Sequence, residues 1–330
     1  MTALWTSDEI AGALAPAELT AAFSANGVTF DSRAVKSGDL FFALKGETSD
    51  GHGFVTQAFA RGAAAAVVSR PVEGKVGALV KVADTMQALV ALGRAGRARS
   101  PARVASVTGS VGKTSTKDAL RAMLSAQAAT EASAASYNNH VGVPISLARL
   151  PREARYGVFE IGMNHPGEIE PLARQVEADV GVITNVGTAH IGHMGSEEAI
   201  ADEKSCLFAG MQPDAVAVIN LDNRHHARIA AHARRFGVTR LVGFGRSETA
   251  DARLVSCILH DSGISTAIVD VATHANVSVL VLGWQKIFKT VRACDCNLTM
   301  RGYGAWTNLS KLMNDTMACV KLRCSEPRRV

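Results

Sequence analysis

Between residues 101 and 245, short apolar runs alternate with longer stretches in which apolar positions recur every three or four residues. ARVASVTG (102–109), YGVFEIGM (156–163), ADVGVITNV (178–186), DAVAVIN (214–220) and RLVGFG (240–245) have the length and continuity of buried strands. KTSTKDALRAMLSA (113–126), PGEIEPLARQVEA (166–178) and EEAIADEKSCLFAGM (197–211) carry the helical period. Strands alternating with helices predict an α/β unit with a mainly parallel sheet covered by helices on both faces.

Upstream the pattern is shorter. VTFDSRAVKSGDLFFALKG (28–46) places two small apolar runs around a turn at Lys36–Asp39, as in a small mixed sheet. GFVTQAFARGAAAAVVSR (53–70) is a helix followed by a buried strand. MQALVALGRAGRARS (86–100) is a helix ending before Pro101, a residue that favours a boundary. The expected organisation is therefore a mixed α/β unit over 1–100, the α/β unit over 101–245 and a remainder over 246–330. SGISTAIVDVATHANVSVLVLGWQKIF (262–288) has room for two strands, and the text after it has no period, so this tail is expected to be irregular.

Composition changes this picture little. Apolar residues make up 47% of the 330 residues and charged residues 20%, as in ordinary globular proteins. The net charge of +5 is small for this length and includes Arg328 and Arg329 near the end, so nucleic acid is not an expected partner. No apolar run is long enough to cross a bilayer, and acidic residues stand where a signal peptide is basic; a cytoplasmic protein without membrane insertion is expected. Four of six cysteines fall at Cys294, Cys296, Cys319 and Cys324, a spacing too loose for a zinc site, and Cys206 and Cys257 are isolated.

The chemistry concentrates at TGSVGKTS (108–115). A glycine loop between a buried strand and a helix turns backbone N–H groups and the positive end of the helix dipole toward an anion. Lys113 is placed to reach the outer phosphates of a nucleotide and Thr114 to offer its hydroxyl to Mg²⁺. The loop is two residues shorter than G-x-x-x-x-G-K-[ST]. Glu160 and His190 follow strands that deliver their C-terminal ends to the same sheet edge, where a carboxylate and an imidazole can ligate a metal. Taken alone, Lys204 is a solvated helix lysine paired with Glu197 or Glu203. Asn138 and Asn139 form a turn, and Asp31-Ser32-Arg33 a surface turn with an ion pair.

The segments FDSRAVKSGDLFFALKGETSDGHGFVTQAFARGA, TGSVGKTSTK, YNNHVGVPISL, FEIGMNHPGEIEPLA, ITNVGTAHIGHMGSEEAIADEK and VINLDN, in this order over residues 25–245, resemble the Mur ligase family. FEIGMN followed by PGEI resembles its MurF-type branch in particular. The short loop is the family's own form. The resemblance implies an ATP-dependent acid–amino-acid ligase of cytoplasmic peptidoglycan precursor synthesis, acting as a monomer. It joins D-alanyl-D-alanine to UDP-N-acetylmuramoyl-tripeptide through an acyl phosphate.

The same resemblance assigns ATP binding to Gly109, Ser110, Val111, Gly112, Lys113, Thr114, Ser115 and Asn185, and precursor binding to Ser32, Arg33, Asn138 and Asn139. Magnesium falls to Thr114, Glu160, His190 and Lys204, the last as an N-carboxylate; Lys113, Lys204 and His190 are the catalytic set. Family members also carry a third, C-terminal domain with a G-R-H-type joining segment and an S-Y-N-A-N-P-like motif. Residues 246–330 contain neither, as a truncation or frameshift after about residue 270 would produce. The rival readings are a MurE-type or folylpolyglutamate-synthase-like ligase, a fragment that only binds nucleotide, and a P-loop kinase or GTPase.

Overall fold

The computed structural model describes residues 3–47, 49–74, 76–135, 137–260, 263–271 and 320–324. The chain packs as two units, Met1–Arg103 with Ser133–Gly157, and Val104–Ala132 with Val158–Val330.

The first unit is built on a five-stranded sheet in the order Glu18–Leu19, Ala78–Lys81, Ala65–Val68, Asp39–Phe42, Gly27–Thr29. Only the Glu18–Leu19 pairing is antiparallel. All four residues of Asp39–Phe42 and of Ala65–Val68 are buried, as parallel strands covered on both faces must be. The two-residue period sorts side chains between two cores. Leu40 and Phe42 join Trp5, Leu89, Leu92 and Ile145, whereas Phe41 and Ala43 join Val55 and Ala58.

Residues 133–157, which sequence pattern alone leaves in the central stretch, belong to this first unit. Their helix Gly142–Ala148 packs on Thr85–Ala98, and the contact depends on small residues. A Cβ at Gly93 would lie 2.7 Å from Pro144 O, and one at Gly96 would strike Leu147 O. Trp5 Nε1 donates to Ala148 O at 2.8 Å and completes the join.

The second unit contains a nine-stranded sheet ordered Val320–Cys324, Gly263–Val271, Ala252–His260, Arg240–Gly245, Val216–Asn220, Val180–Ile183, Arg103–Thr108, Tyr156–Glu160, Thr130–Ala132. The strands from Arg103–Thr108 through Val180–Ile183, Val216–Asn220 and Arg240–Gly245 to Ala252–His260 run parallel. Ile183 is level with Thr108, so Gly109 and Thr184 leave the sheet side by side. Register thus brings the loops after two distant strands to one edge.

The described part of the tail is more regular than its text. Ala252–His260 and Gly263–Val271 form an antiparallel pair, and Val320–Cys324 lies parallel to the second. Sheet pairing overrides the weak local pattern here, and Ala252–His260 has no counterpart in the sequence reading. The second of the two strands expected within residues 262–288, and Cys294, Cys296 and Cys319, lie outside the described residues. Among the described residues no helix is long and apolar enough to cross a membrane.

Candidate nucleotide site

The strand Arg103–Thr108, buried from Val104 onward, runs into Gly109–Gly112 and the helix Lys113–Ser125. Gly112 has φ +86°, a conformation that disfavours any side chain. At Gly109 a Cβ would collide with Thr184 Oγ1. The loop is laced to the segment after Val180–Ile183. Ser110 N donates to Asn185 O (2.8 Å), Gly187 N donates to Ser110 Oγ (3.0 Å) and Thr184 Oγ1 donates to Val111 O (2.7 Å). Among the described residues no side chain caps the helix N-terminus, so its leading N–H groups remain available to an anion.

Lys113 Nζ folds back and donates to Gly109 O at 2.8 Å. Burial lowers its pKa, against the attraction of Glu160. Thr114 Oγ1 donates to Glu160 Oε2 at 2.8 Å, and Glu160 is 1% exposed at the end of Tyr156–Glu160. A hydroxyl beside a buried carboxylate is a hard-oxygen pair of the type Mg²⁺ takes together with phosphate oxygens and water. Among the described residues no group of three His, Cys, Asp or Glu is arranged to hold a metal. These residues therefore fit Mg²⁺ as a shared ion rather than as an all-protein cage.

His190 stands at φ +68° before the short helix Ile191–Met194. Its ring is exposed and, among the described residues, makes no hydrogen bond to Thr114 or Glu160. Its pKa is lowered by partial desolvation first, then by the charges of Lys204 and Lys113, which favours the neutral imidazole.

Lys204 overturns its isolated reading. It is 1% exposed, on the same buried face of Glu197–Ser205 as Ile200 and Ala201. Neither expected acid holds it. Glu197 is engaged by Arg224 and His225, while Glu203 accepts from Gly167 N and Ile169 N, both at 2.9 Å. Burial, then the charge of Lys113, brings its pKa down to about 7, with Glu203 opposing. Burial thus brings the titration of this interior amine down to neutral pH, where the uncharged form is well populated.

In the first unit, Arg33 forks onto Asp31 with Nε and Nη2, each at 2.9 Å, as the turn reading expects. Ser32 is buried and donates to Gln57 Oε1 at 2.9 Å. Asn139 Oδ1 accepts from Gly142 N (2.9 Å) and Val141 N (3.2 Å) at the start of Gly142–Ala148, and Asn138 precedes it. The structure thus unites the loop residues with Asn185 and Glu160, and couples Lys204 and His190 to Lys113 by charge. Sequence reasoning missed Thr184, Asn220 and Asn223, which brace the loop from behind. Their only signal was membership of the T-N-V and V-I-N-L-D-N segments.

Residues 107–291 match the Mur ligase middle domain, and residues 24–100 match the Mur ligase family catalytic domain. UDP-N-acetylmuramoyl-tripeptide–D-alanyl-D-alanine ligase of Rickettsia prowazekii (strain Madrid E) is 35% identical over 253 residues, 76% of this chain and 56% of that protein. The protein of the same name from Synechocystis sp. (strain ATCC 27184 / PCC 6803 / Kazusa) is 38% identical over 274 residues, 79% of this chain and 60% of that one. A crystal structure of MurF from Acinetobacter baumannii superposes with TM-score 0.69 at 34% identity, covering 79% of this chain and 57% of the other. MurF ligase from Thermotoga maritima, in complex with ADP, gives 0.62 at 26% identity, covering 74% and 56%. The chain spans little more than half the length of these relatives.

Proposed function

The chain belongs to the Mur ligase family, and from that premise we propose that it serves the ATP-dependent joining of D-alanyl-D-alanine to UDP-N-acetylmuramoyl-tripeptide in the cytoplasm, as a monomer. The observation that carries the proposal is the convergence in one unit of an uncapped loop–helix junction, the Thr114–Glu160 pair and a buried Lys204.

A carboxylate is a poor electrophile and must be activated. The precursor's terminal carboxylate oxygen attacks the γ-phosphorus of ATP; the new P–O bond replaces the bond to ADP, which leaves. The amine of D-alanyl-D-alanine then attacks the acyl carbon, phosphate departs and the nitrogen loses a proton to give the amide. Gly109, Val111, Gly112 and Ser115 cradle phosphates through backbone N–H groups, Ser110 shapes the loop by giving its N–H to Asn185 O, and Asn185 borders the nucleotide. Lys113 exchanges its bond to Gly109 O for the phosphoryl oxygens, where charge develops. Thr114, Glu160 and His190 are the side chains that would hold Mg²⁺. When bound, the ion supplies positive charge to the phosphate oxygens.

Lys204 supports the same reading. Its neutral nitrogen can attack the carbon of CO₂ and release a proton, which turns a cation into a carbamate anion able to face a metal. In the first unit Ser32, Arg33, Asn138 and Asn139 are assigned to the precursor.

The test is phosphate release from ATP and Mg²⁺ with the UDP-tripeptide, with and without D-alanyl-D-alanine. Release that requires the dipeptide, and is lost in Lys113→Ala, supports ligation. A diamino acid accepted in place of the dipeptide would favour a MurE-type reaction. Nucleotide binding without dipeptide-dependent release would reduce the proposal to a nucleotide-binding role, a reading kept in view by the share of its relatives' length that the chain spans.

A further inference from the structure

The loop Gly109–Gly112 is shorter than the common form, and a group from outside it spans its two ends. Thr184 follows the strand Val180–Ile183, and its backbone is fixed on both sides. Its N–H donates to Thr108 O at 3.0 Å, and its carbonyl accepts from Asn220 Nδ2 at 3.1 Å. The side chain, 0% exposed, is thereby held under the loop. There Oγ1 lies 2.7 Å from Val111 O and 3.2 Å from Thr108 O. A hydroxyl carries one proton, so the shorter contact to Val111 O is the stronger bond. Room for this oxygen exists because Gly109 lacks a Cβ, which would collide with it.

The direction of Val111 O decides that of its neighbour. The Val111 carbonyl and the Gly112 N–H share one planar trans peptide and point opposite ways. Drawing Val111 O onto Thr184 therefore turns the Gly112 N–H toward the open side of the loop. Among the described residues no backbone acceptor takes that N–H. Gly112 is left-handed at φ +86°, and Lys113 opens a right-handed helix. Successive residues of opposite hand gather their N–H groups into an anion-binding hollow. Half a turn of the same peptide would replace the N–H with a carbonyl, which repels phosphate.

We propose that Thr184 is a positioning residue of the nucleotide site: its hydroxyl holds the Val111–Gly112 peptide in the orientation that turns the Gly112 N–H toward a nucleotide phosphate. The proposal rests on the reading of this loop as the nucleotide site. Thr184→Val keeps the shape but sets a methyl group against Val111 O, so the peptide loses its anchor. Thr184→Ser keeps the donor and gives up only a methyl group.

Two measurements on the full chain test it. The first is the Kd for ADP with Mg²⁺, expected to rise about tenfold in Thr184→Val and to stay within about twofold of wild type in Thr184→Ser. Both variants should lower the thermal midpoint, one through a lost hydrogen bond and the other through a cavity. A purely structural role would leave the Kd unchanged in both or make it follow the midpoint in both, and either result overturns the proposal. The second needs no variant: amide hydrogen exchange at Gly112 in the wild-type protein, expected to slow about tenfold when ADP and Mg²⁺ bind. Bound ADP with unchanged exchange at Gly112 overturns the proposal while leaving the nucleotide reading in place. No ADP binding by the wild-type protein overturns that reading, and the role of Thr184 with it.

Discussion

The turns of the first unit and the phosphate loop of the second treat polar groups in opposite ways. In the first unit they are closed within the protein. Asp84 caps Thr85–Ala98 by accepting from Met86 N and Gln87 N. Asp50 accepts from His52 N and from the His52 ring (Nδ1–Oδ1 2.6 Å), while His52 Nε2 accepts from Ser69 N. At the phosphate loop the helix has no side-chain cap, Lys113 is folded onto its own loop, and Lys204 is buried with its charge disfavoured. The closed turns hold the fold, and the open groups retain binding capacity at a cost in stability.

The largest effect that sharpens this contrast is expected from Lys113→Ala. Dipeptide-dependent phosphate release should fall by about 10²-fold or more while the thermal midpoint moves little. A midpoint falling in step with activity would place Lys113 among the closed groups instead.

Next is Lys204→Met, which removes a buried ionisable group and keeps the volume. Activity should be abolished and the thermal midpoint should rise. The pH dependence follows from the shift: the folded pKa, about 7, lies below the unfolded 10.5. Between those values the unfolded chain binds more protons, so wild-type stability increases with pH. The advantage of the methionine variant in denaturant titrations should therefore be greatest below pH 7 and shrink toward pH 10.

A smaller change is expected from Asp50→Ala, at about 1 kcal/mol for a lost cap. Asp50 is held well below its ordinary pKa by the His52 backbone and ring and by Arg70. Its stabilisation is present above the unfolded value of 3.8 and disappears as pH falls toward the folded one. Wild type and variant should then converge in acid unfolding, with no difference in ADP binding.

The smallest structural effect belongs to Arg33→Ala, since Arg33 is 81% exposed and its ion pair with Asp31 is solvated. Its midpoint should be unchanged. A severalfold rise in the KM for the UDP-tripeptide would show that this surface turn has an open role as well.

Much of this was legible in the text of the chain. The loop, its strand and its helix follow from TGSVGKTS because short-range sterics and hydrophobic periodicity act within a few residues. Glu160 and His190 are expected at one edge because parallel strands end there, and the structure sets Glu160 against Thr114. Lys204 was misread in isolation because periodicity does not say which helix face is covered. Ala252–His260 was missed because its pairing partner, not its own pattern, makes it a strand. The return of residues 133–157 to the first unit depends on Gly93 and Gly96, whose significance is visible only when Pro144 and Leu147 stand opposite.

By itself the sequence determined the α/β character, the strand–loop–helix at residues 103–125 and the Mur-type segments, since these depend on neighbours along the chain. Only the tertiary structure decided that Lys204 is buried in the field of Lys113 with Glu197 and Glu203 engaged elsewhere, and that Asn223 reaches across to Asn185. Burial and amide orientation are set by groups distant in sequence, and a linear pattern carries no record of which distant group arrives.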